Sequence, residues 1–372
     1  MAPPPVPVTV LTGFLGAGKT SLLNQLLRDP ALGNAVVLIN EFGEIGLDHL
    51  FVEKVDGDMV MMSSGCLCCT IRGELVDALE NLLRRRDNGR IRDFDRIIIE
   101  TTGLADPAPV LHTIMSHPYL ALRFRLDGVV TVVDAINGMA TLTNHAEALK
   151  QAAVADRIVL SKSDLATSQA QKTELSALRA RLDQLNPTAR IIEAAGVWST
   201  KEILDAGLYD PQSKTADVQK WLNAERLIDS GGHHHHHHAH DDVNRHGEAI
   251  RAFCLVRDEP ISPAGCDMFL EMLRIAHGPK LLRVKGVIAL SDDPERPLVI
   301  HGVQHIFHPP VRLAAWPDAD RRTRIVFILK DLDAKFVDGL FAAFAGEIRP
   351  DAPDAQALTE NPLAPRSGGL LA

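Results

Sequence analysis

The chain has 372 residues, 46% hydrophobic and 23% charged, with a formal net charge of −9. That length suits roughly two or three domains, and the balance is that of a soluble globular protein. The negative charge argues against a nucleic-acid partner, which wants a basic face, and against docking on an anionic membrane.

No apolar run approaches the roughly 18 residues that span a bilayer. The opening Met-Ala-Pro-Pro-Pro lacks the basic and apolar regions of a signal peptide. A cytoplasmic protein is therefore expected. The 5 cysteines fit a reducing compartment: Cys66, Cys68 and Cys69 crowd together, while Cys254 and Cys266 stand apart. Such a cluster reads as metal ligands or reactive thiols before disulfides.

Residues 6–11 form a β-branched run that predicts a buried strand. It meets Gly13, Gly16, Ala17 and Gly18, then Lys19, Thr20 and Ser21, and a leucine-rich helical pattern begins at once. Strand, Gly-x-x-x-x-Gly-Lys-Thr and helix make a phosphate-binding loop. Its backbone N–H groups face the phosphates, where the helix N-terminus adds positive potential. Lys19 is expected on the β- and γ-phosphates and the Thr20 hydroxyl on Mg²⁺.

Residues 35–39 predict a second strand, running into a loop at 40–48 that carries Glu41, Glu44 and Asp48. In open α/β sheets, ligands bind beyond the carboxyl ends of strands. This loop could sense a γ-phosphate, hold a metal or simply face water. A short strand at 59–62 delivers the Cys66–Cys69 cluster to the start of a helix expected over 71–86. A helix N-terminus favours thiolate. The run 96–100 is strand-like and ends in Glu100-Thr101-Thr102-Gly103. The Gly103 N–H can contact a γ-phosphate and Glu100 can reach Mg²⁺ or the attacking water. Asp106 and Pro107 predict a helix cap and first helical position.

Further strands are expected at 127–134 and 157–160, the second entering Ser161-Lys162-Ser163-Asp164. Many GTP-binding proteins carry Asn-Lys-x-Asp here. The Asp accepts from the two guanine N–H donors, and adenine would leave it unpaired. Ser161 departs from that tetrad, while Lys162 and Asp164 keep its discriminating pair. A helix at 170–185 and a strand at 190–194 complete an alternation that indicates a doubly wound, mostly parallel sheet.

Residues 205–247 read as a linker containing His233, His234, His235, His236, His237, His238 and His240. Such a tract suits accessory binding of Zn²⁺, Ni²⁺ or Co²⁺. A purification tag and an indifferent spacer are its other readings. A small α+β domain is expected next: a strand at 249–256, a helix at 264–276 with Phe269, Met272 and Leu273 inward, strands at 281–290, 297–307 and 324–329, and a helix at 334–344. His301 and His305 would share one strand face by the period of two. From residue 347 the Pro-, Ala- and Gly-rich tail reads as disordered.

These motifs, in this order, resemble the CobW family of metal-handling GTPases. The resemblance spans about residues 6–345 and rests on Gly13–Thr20, Asn40-Glu41-Phe42-Gly43-Glu44, Gly65-Cys66-Leu67-Cys68-Cys69, Glu100–Pro107, Ser161–Asp164 and Arg283-Val284-Lys285-Gly286. It implies a P-loop GTPase domain at 1–204 and a CobW C-terminal α+β domain at 248–346. It also implies GTP-gated binding of a transferred metal at Cys66, Cys68 and Cys69, with Glu41 as a nearby acid, and delivery to a client apo-metalloprotein. GTP, Mg²⁺ and Zn²⁺ are the expected ligands, with Co²⁺ for cobalamin synthesis or one dedicated enzyme as the alternative; a homodimer is compatible with this. Three thiolates leave a fourth tetrahedral position open, which suits transfer better than a closed structural zinc site. A different class, a passive metal buffer or sensor built on the His tract, is the competing function.

Overall fold

The computed structural model describes residues 4–39, 71–205 and 250–346. The loop at 40–48, Glu41, the strand at 59–62, the three clustered cysteines, the His-rich tract and the tail from 347 lie outside the described residues. Among the described residues no helix is long and apolar enough to cross a membrane.

The first sheet is parallel throughout. Its strands are β1 (Val6–Gly13), β2 (Ala35–Ile39), β3 (Arg96–Glu100), β4 (Phe124–Asp134), β5 (Arg157–Ser161) and β6 (Arg190–Glu193), in the order β2-β3-β1-β4-β5-β6. Each is a near-continuous apolar run because each is covered on both faces. One face packs Leu11, Val130, Val132 and Val159 against α1 (Lys19–Leu27) and α8 (Thr200–Leu204). The other packs Val10, Ile97, Val129 and Ile158 against α2 (Ile71–Asp87), α3 (Ala108–Ser116), α6 (Ala146–Ala153) and α7 (Gln169–Leu185). Short helices α4 (Pro118–Arg123) and α5 (Gly138–Asn144) connect them. This is the doubly wound arrangement the alternation predicts. The order reverses at β1, where the P-loop leaves the sheet, and such a switch point opens a crevice for ligand.

Two local expectations shift. The helix after Gly103 begins at Ala108, with Pro107 as its N-cap; Asp106 still accepts from the Ala108 N–H at 2.9 Å. β4 starts three residues early, at Phe124, because the short α4 delivers the chain straight into it.

The second sheet is antiparallel: β7 (Ile250–Arg257), β8 (Leu281–Ile288), β9 (Leu298–Val303), β10 (Ile306–Phe307), β11 (Val311–Arg312) and β12 (Thr323–Lys330). The order is β10-β9-β8-β12-β7, with β11 on β9. One face carries α9 (Pro263–His277) and α10 (Ala334–Ala345), through Phe269, Leu273, Phe327, Val337 and Phe341. Met272 does not face in. It is 46% exposed, because the inward stripe is carried by Phe269 and Leu273 and the next position turns to solvent.

The single strand expected at 297–307 is two strands. Gln304 takes φ 52, and the chain folds back so that Ile306 pairs with Val303. His301 and His305 therefore do not share a face. His301 lies inside the sheet beside His308, ring centroids 5.0 Å apart, while His305 at the turn meets His112 of α3 at 4.6 Å.

The other face of the second sheet packs on the first domain. Period two sends Val284 and Ile288 to the α9/α10 core, and Arg283 and Lys285 to the opposite face. There both cations converge on Asp156, at the entry to β5. Arg283 donates to Asp156 Oδ1, and Lys285 Nζ lies 3.0 Å from the same oxygen. All three are at least 96% buried.

Candidate nucleotide site

Gly13, Gly16 and Gly18 take φ of 145°, 71° and 93°, which is what wraps the loop after β1 into a cradle. At Gly13 a Cβ would also stand 2.4 Å from the Val132 carbonyl oxygen on the neighbouring strand. Gly13→Ala is expected to destabilise the fold by about 2 kcal/mol or more, read as a lower denaturant midpoint. Ala17 is buried and its N–H closes the loop onto the Phe14 carbonyl at 3.1 Å. Ser21 sits exposed in the first turn of α1.

Lys19, the first residue of α1, arches over the loop and donates to the Gly13 carbonyl at 3.0 Å. Thr20 Oγ1 donates to Glu100 Oε1 at 3.1 Å, joining the helix start to the end of β3. A hydroxyl and a carboxylate side by side are hard oxygen donors, so this pair fits Mg²⁺. The two strand ends are laced further: Thr101 N–H donates to the Leu11 carbonyl at 2.9 Å and Thr101 Oγ1 to Thr12 Oγ1 at 2.8 Å. Gly103 then abuts the P-loop itself, where a Cβ would fall 2.6 Å from Leu15 N.

On the far side, Lys162 takes φ 56. That turn carries its Nζ to the Gly16 carbonyl at 2.8 Å and to Asp134 Oδ2 at 2.7 Å. Asp164 follows in a 3₁₀ turn and is exposed, open to a base. Ser161, the departure from the familiar tetrad, donates to the Ala17 carbonyl at 2.5 Å and so ties β5 to the P-loop. Burial opposes ionisation of Asp134, but Lys162 and the Asn137 and Ile136 N–H groups outweigh it and hold its carboxyl below the usual range.

The structure thus brings together Gly13, Gly16, Ala17, Gly18, Lys19, Thr20, Glu100, Gly103, Lys162 and Asp164 at the carboxyl ends of β1, β3 and β5. Sequence reading missed Asp134, the partner of Lys162. It is the acid closing a strand that ends level with β5, and that position was the available signal. Gln151 and Asp156 were also missed, because a Gln in a helix and an Asp before a strand look like ordinary surface polar residues. Among the described residues no group of three or more His, Cys, Asp or Glu could hold a metal ion.

A P-loop with a carboxylate-ended neighbouring strand and a Lys-x-Asp turn defines a P-loop GTPase fold. The nucleotide-binding domain described for CobW, HypB and UreG matches residues 7–193, and the cobalamin synthesis protein CobW C-terminal domain matches residues 250–345. The chain belongs to the CobW family. It is 33% identical over 342 residues to the zinc chaperone YjiA of Escherichia coli, covering 92% of this chain and 98% of that one. It is 40% identical over 214 residues to zinc-regulated GTPase metalloprotein activator 1 of Schizosaccharomyces pombe, covering 55% of this chain and 50% of the relative. A crystal structure of Zn(II)-bound YjiA GTPase from E. coli superposes with a TM-score of 0.65 at 29% identity, covering 92% of this chain and 99% of that one.

Proposed function

We propose that the chain is a GTP-hydrolysing metallochaperone. A transition metal, zinc first, is held by Cys66, Cys68, Cys69 and Glu41 while GTP and Mg²⁺ order the flanking loops. After hydrolysis the metal passes to a client apo-metalloprotein. The observation that carries this reading is the Thr20–Glu100 contact at 3.1 Å, which couples the Mg²⁺-binding hydroxyl to the strand leading into Gly103. The order of the chain supports the second half. Glu41 follows β2 and the cysteines precede α2, so both lie on the connection that leaves the same sheet as the P-loop. Thiolates select zinc or cobalt over Mg²⁺, so one chain can hold two metals without exchange. The clustering of Cys66, Cys68 and Cys69 favours a reducing compartment, which supports the cytoplasm as the place of action.

Competitive Zn²⁺ and Co²⁺ titration against a chelator, with a GTP analogue plus Mg²⁺, with GDP, and without nucleotide, tests the reading. Roughly one ion should bind far more tightly in the GTP-analogue state. Changing all three cysteines to Ser should weaken that binding by more than about 100-fold, the upper end of what an outer-shell partner contributes. Deleting residues 233–246 should leave the gated site intact. Equal affinity in all three nucleotide states would give the lead to the buffer.

A further inference from the structure

We infer that Gln151, on α6, is a positioning residue for the GTPase reaction, fixing the loop Gly103–Asp106 so that the Gly103 N–H meets the γ-phosphate. Gln151 is 1% exposed. Its Nε2 donates to the Gly103 carbonyl at 3.1 Å and to the Ala105 carbonyl at 2.9 Å. Only the amide nitrogen can donate to both; the flipped orientation would set Oε1 against two carbonyl oxygens. The amide is thus spent on one short loop, at its first and third residues. The residue's own main chain is fixed in turn, since Thr131 Oγ1 of β4 donates to the Gln151 carbonyl at 2.7 Å.

Three features make this a positioning contact and not packing alone. First, the peptide it grips lies against the P-loop, where Gly103 has no room for a Cβ beside Leu15 N. A small rotation of that peptide would swing the Gly103 N–H away from a phosphate held by the cradle. Second, Gln151 Oε1 makes no hydrogen bond among the described residues. A buried side chain retained for packing would cost less as Leu or Met, which carry no unsatisfied oxygen. Third, Gln151 borders a cavity of about 270 Å³ that opens between Phe14, Leu15, Leu142 and Ala148. Gln151 is thus not close-packed on that side, and its two hydrogen bonds hold the amide in place.

The inference rests on the proposed role of Gly103, and the test separates the two. Affinities for GDP and for the β,γ-imido analogue of GTP are measured with Mg²⁺, together with kcat for GTP, on the full chain. Gln151→Met keeps volume and removes both donors. It is expected to weaken the imido analogue about tenfold, the worth of two such bonds, while GDP stays within about twofold and kcat falls. Gln151→Glu sets carboxylate oxygens against two carbonyls and should be worse than Met on the same ratio, an ordering that a volume role does not give. If the Gln151 variants misfold, Thr131→Val loosens the same residue from its main chain and should shift the ratio in the same direction.

Equal losses of both nucleotides, or an unchanged ratio in every folded variant, would overturn the proposal. Gly103→Ala is the control. If it abolishes the preference for the imido analogue while the Gln151 variants keep it, the Gly103 reading stands and the one for Gln151 falls. If Gly103→Ala also keeps the preference, both readings fall together.

Discussion

Asp156→Ala is expected to lower the unfolding free energy by about 3–5 kcal/mol, the usual cost of leaving a buried charge without its partner. Its Oδ1 takes both Arg283 and Lys285, and its Oδ2 accepts from the Val129 N–H at 3.0 Å. The variant strands two buried cations and one backbone donor together. Burial alone would raise the Asp156 pKa, but Arg283 and Lys285 outweigh it and keep the carboxyl ionised, well below the usual carboxylate range. Replacing the whole cluster (Asp156→Leu with Arg283→Met and Lys285→Met) should cost much less than the sum of the single changes, because no charge is then left unpaired. Chemical denaturation of the singles and the triple checks this; additive losses would show that the three groups do not act as one unit.

The same cluster sets an acid limit. Burial, then the positive charge of Arg283, pushes His308 down to about 4 and His301 well below its usual value. Arg283 donates to His301 Nε2, which must then carry the lone pair, so this ring is neutral in the folded protein. A histidine neutral when folded binds its proton more readily when unfolded. Its contribution is therefore intact above about pH 6.5 and is lost as pH falls toward the folded value. For His308 the loss between pH 7 and pH 4 is on the order of 3 kcal/mol. Asp156 adds its own loss only below about pH 4. Melting temperature against pH should fall between pH 6.5 and 4, and His308→Gln should flatten that limb.

The P-loop, the strand alternation and the Lys-x-Asp turn were legible in the sequence because each is local. A run of Val and Ile followed by three glycines and Lys-Thr leaves few other conformations, and β1 with α1 follows. What could not be read is what depends on distance through space. Asp156 stands more than a hundred residues before Arg283, Lys285 and His301, and nothing local marks the four as one buried cluster. The split of residues 297–307 into β9 and β10 was hidden too, since Gln304 in the left-handed region is neither Gly nor Asn. Gln151 was invisible for the same reason as Asp156. Yet the stretch 151–164 links the Gly103–Asp106 loop through Gln151, the C-terminal sheet through Asp156 and the P-loop through Lys162. The Arg-Val-Lys-Gly run of the second domain, one of the motifs behind the family resemblance, supplies the partners for the middle of that stretch. Gly286 completes it because a Cβ there would press on Ile325 Cα at 3.0 Å across the sheet.

Lys19→Ala is expected to lower kcat/KM for GTP by about 10²- to 10³-fold, the usual loss for one preorganised donor at developing charge. The half-buried side chain donates to the Gly13 carbonyl at 3.0 Å and reaches the Phe14 carbonyl at 3.4 Å, both within the cradle. Phosphate oxygens that enter the cradle compete for the same ammonium, and charge gathering there in the transition state strengthens the contact. Nothing in the core packing depends on Lys19, so melting temperature should hardly move. Thr20→Ala is the informative comparison. Its hydroxyl sits on Glu100 and is proposed as a Mg²⁺ ligand, so its defect should be partly recovered by raising Mg²⁺. The Lys19 defect should not be, since Mg²⁺ neither replaces that ammonium nor stands where it stands. Recovery of Lys19→Ala by Mg²⁺, or a Thr20→Ala defect that ignores Mg²⁺, would reverse the roles assigned to the two residues. Normal hydrolysis by Lys19→Ala would remove the cradle from the chemistry altogether.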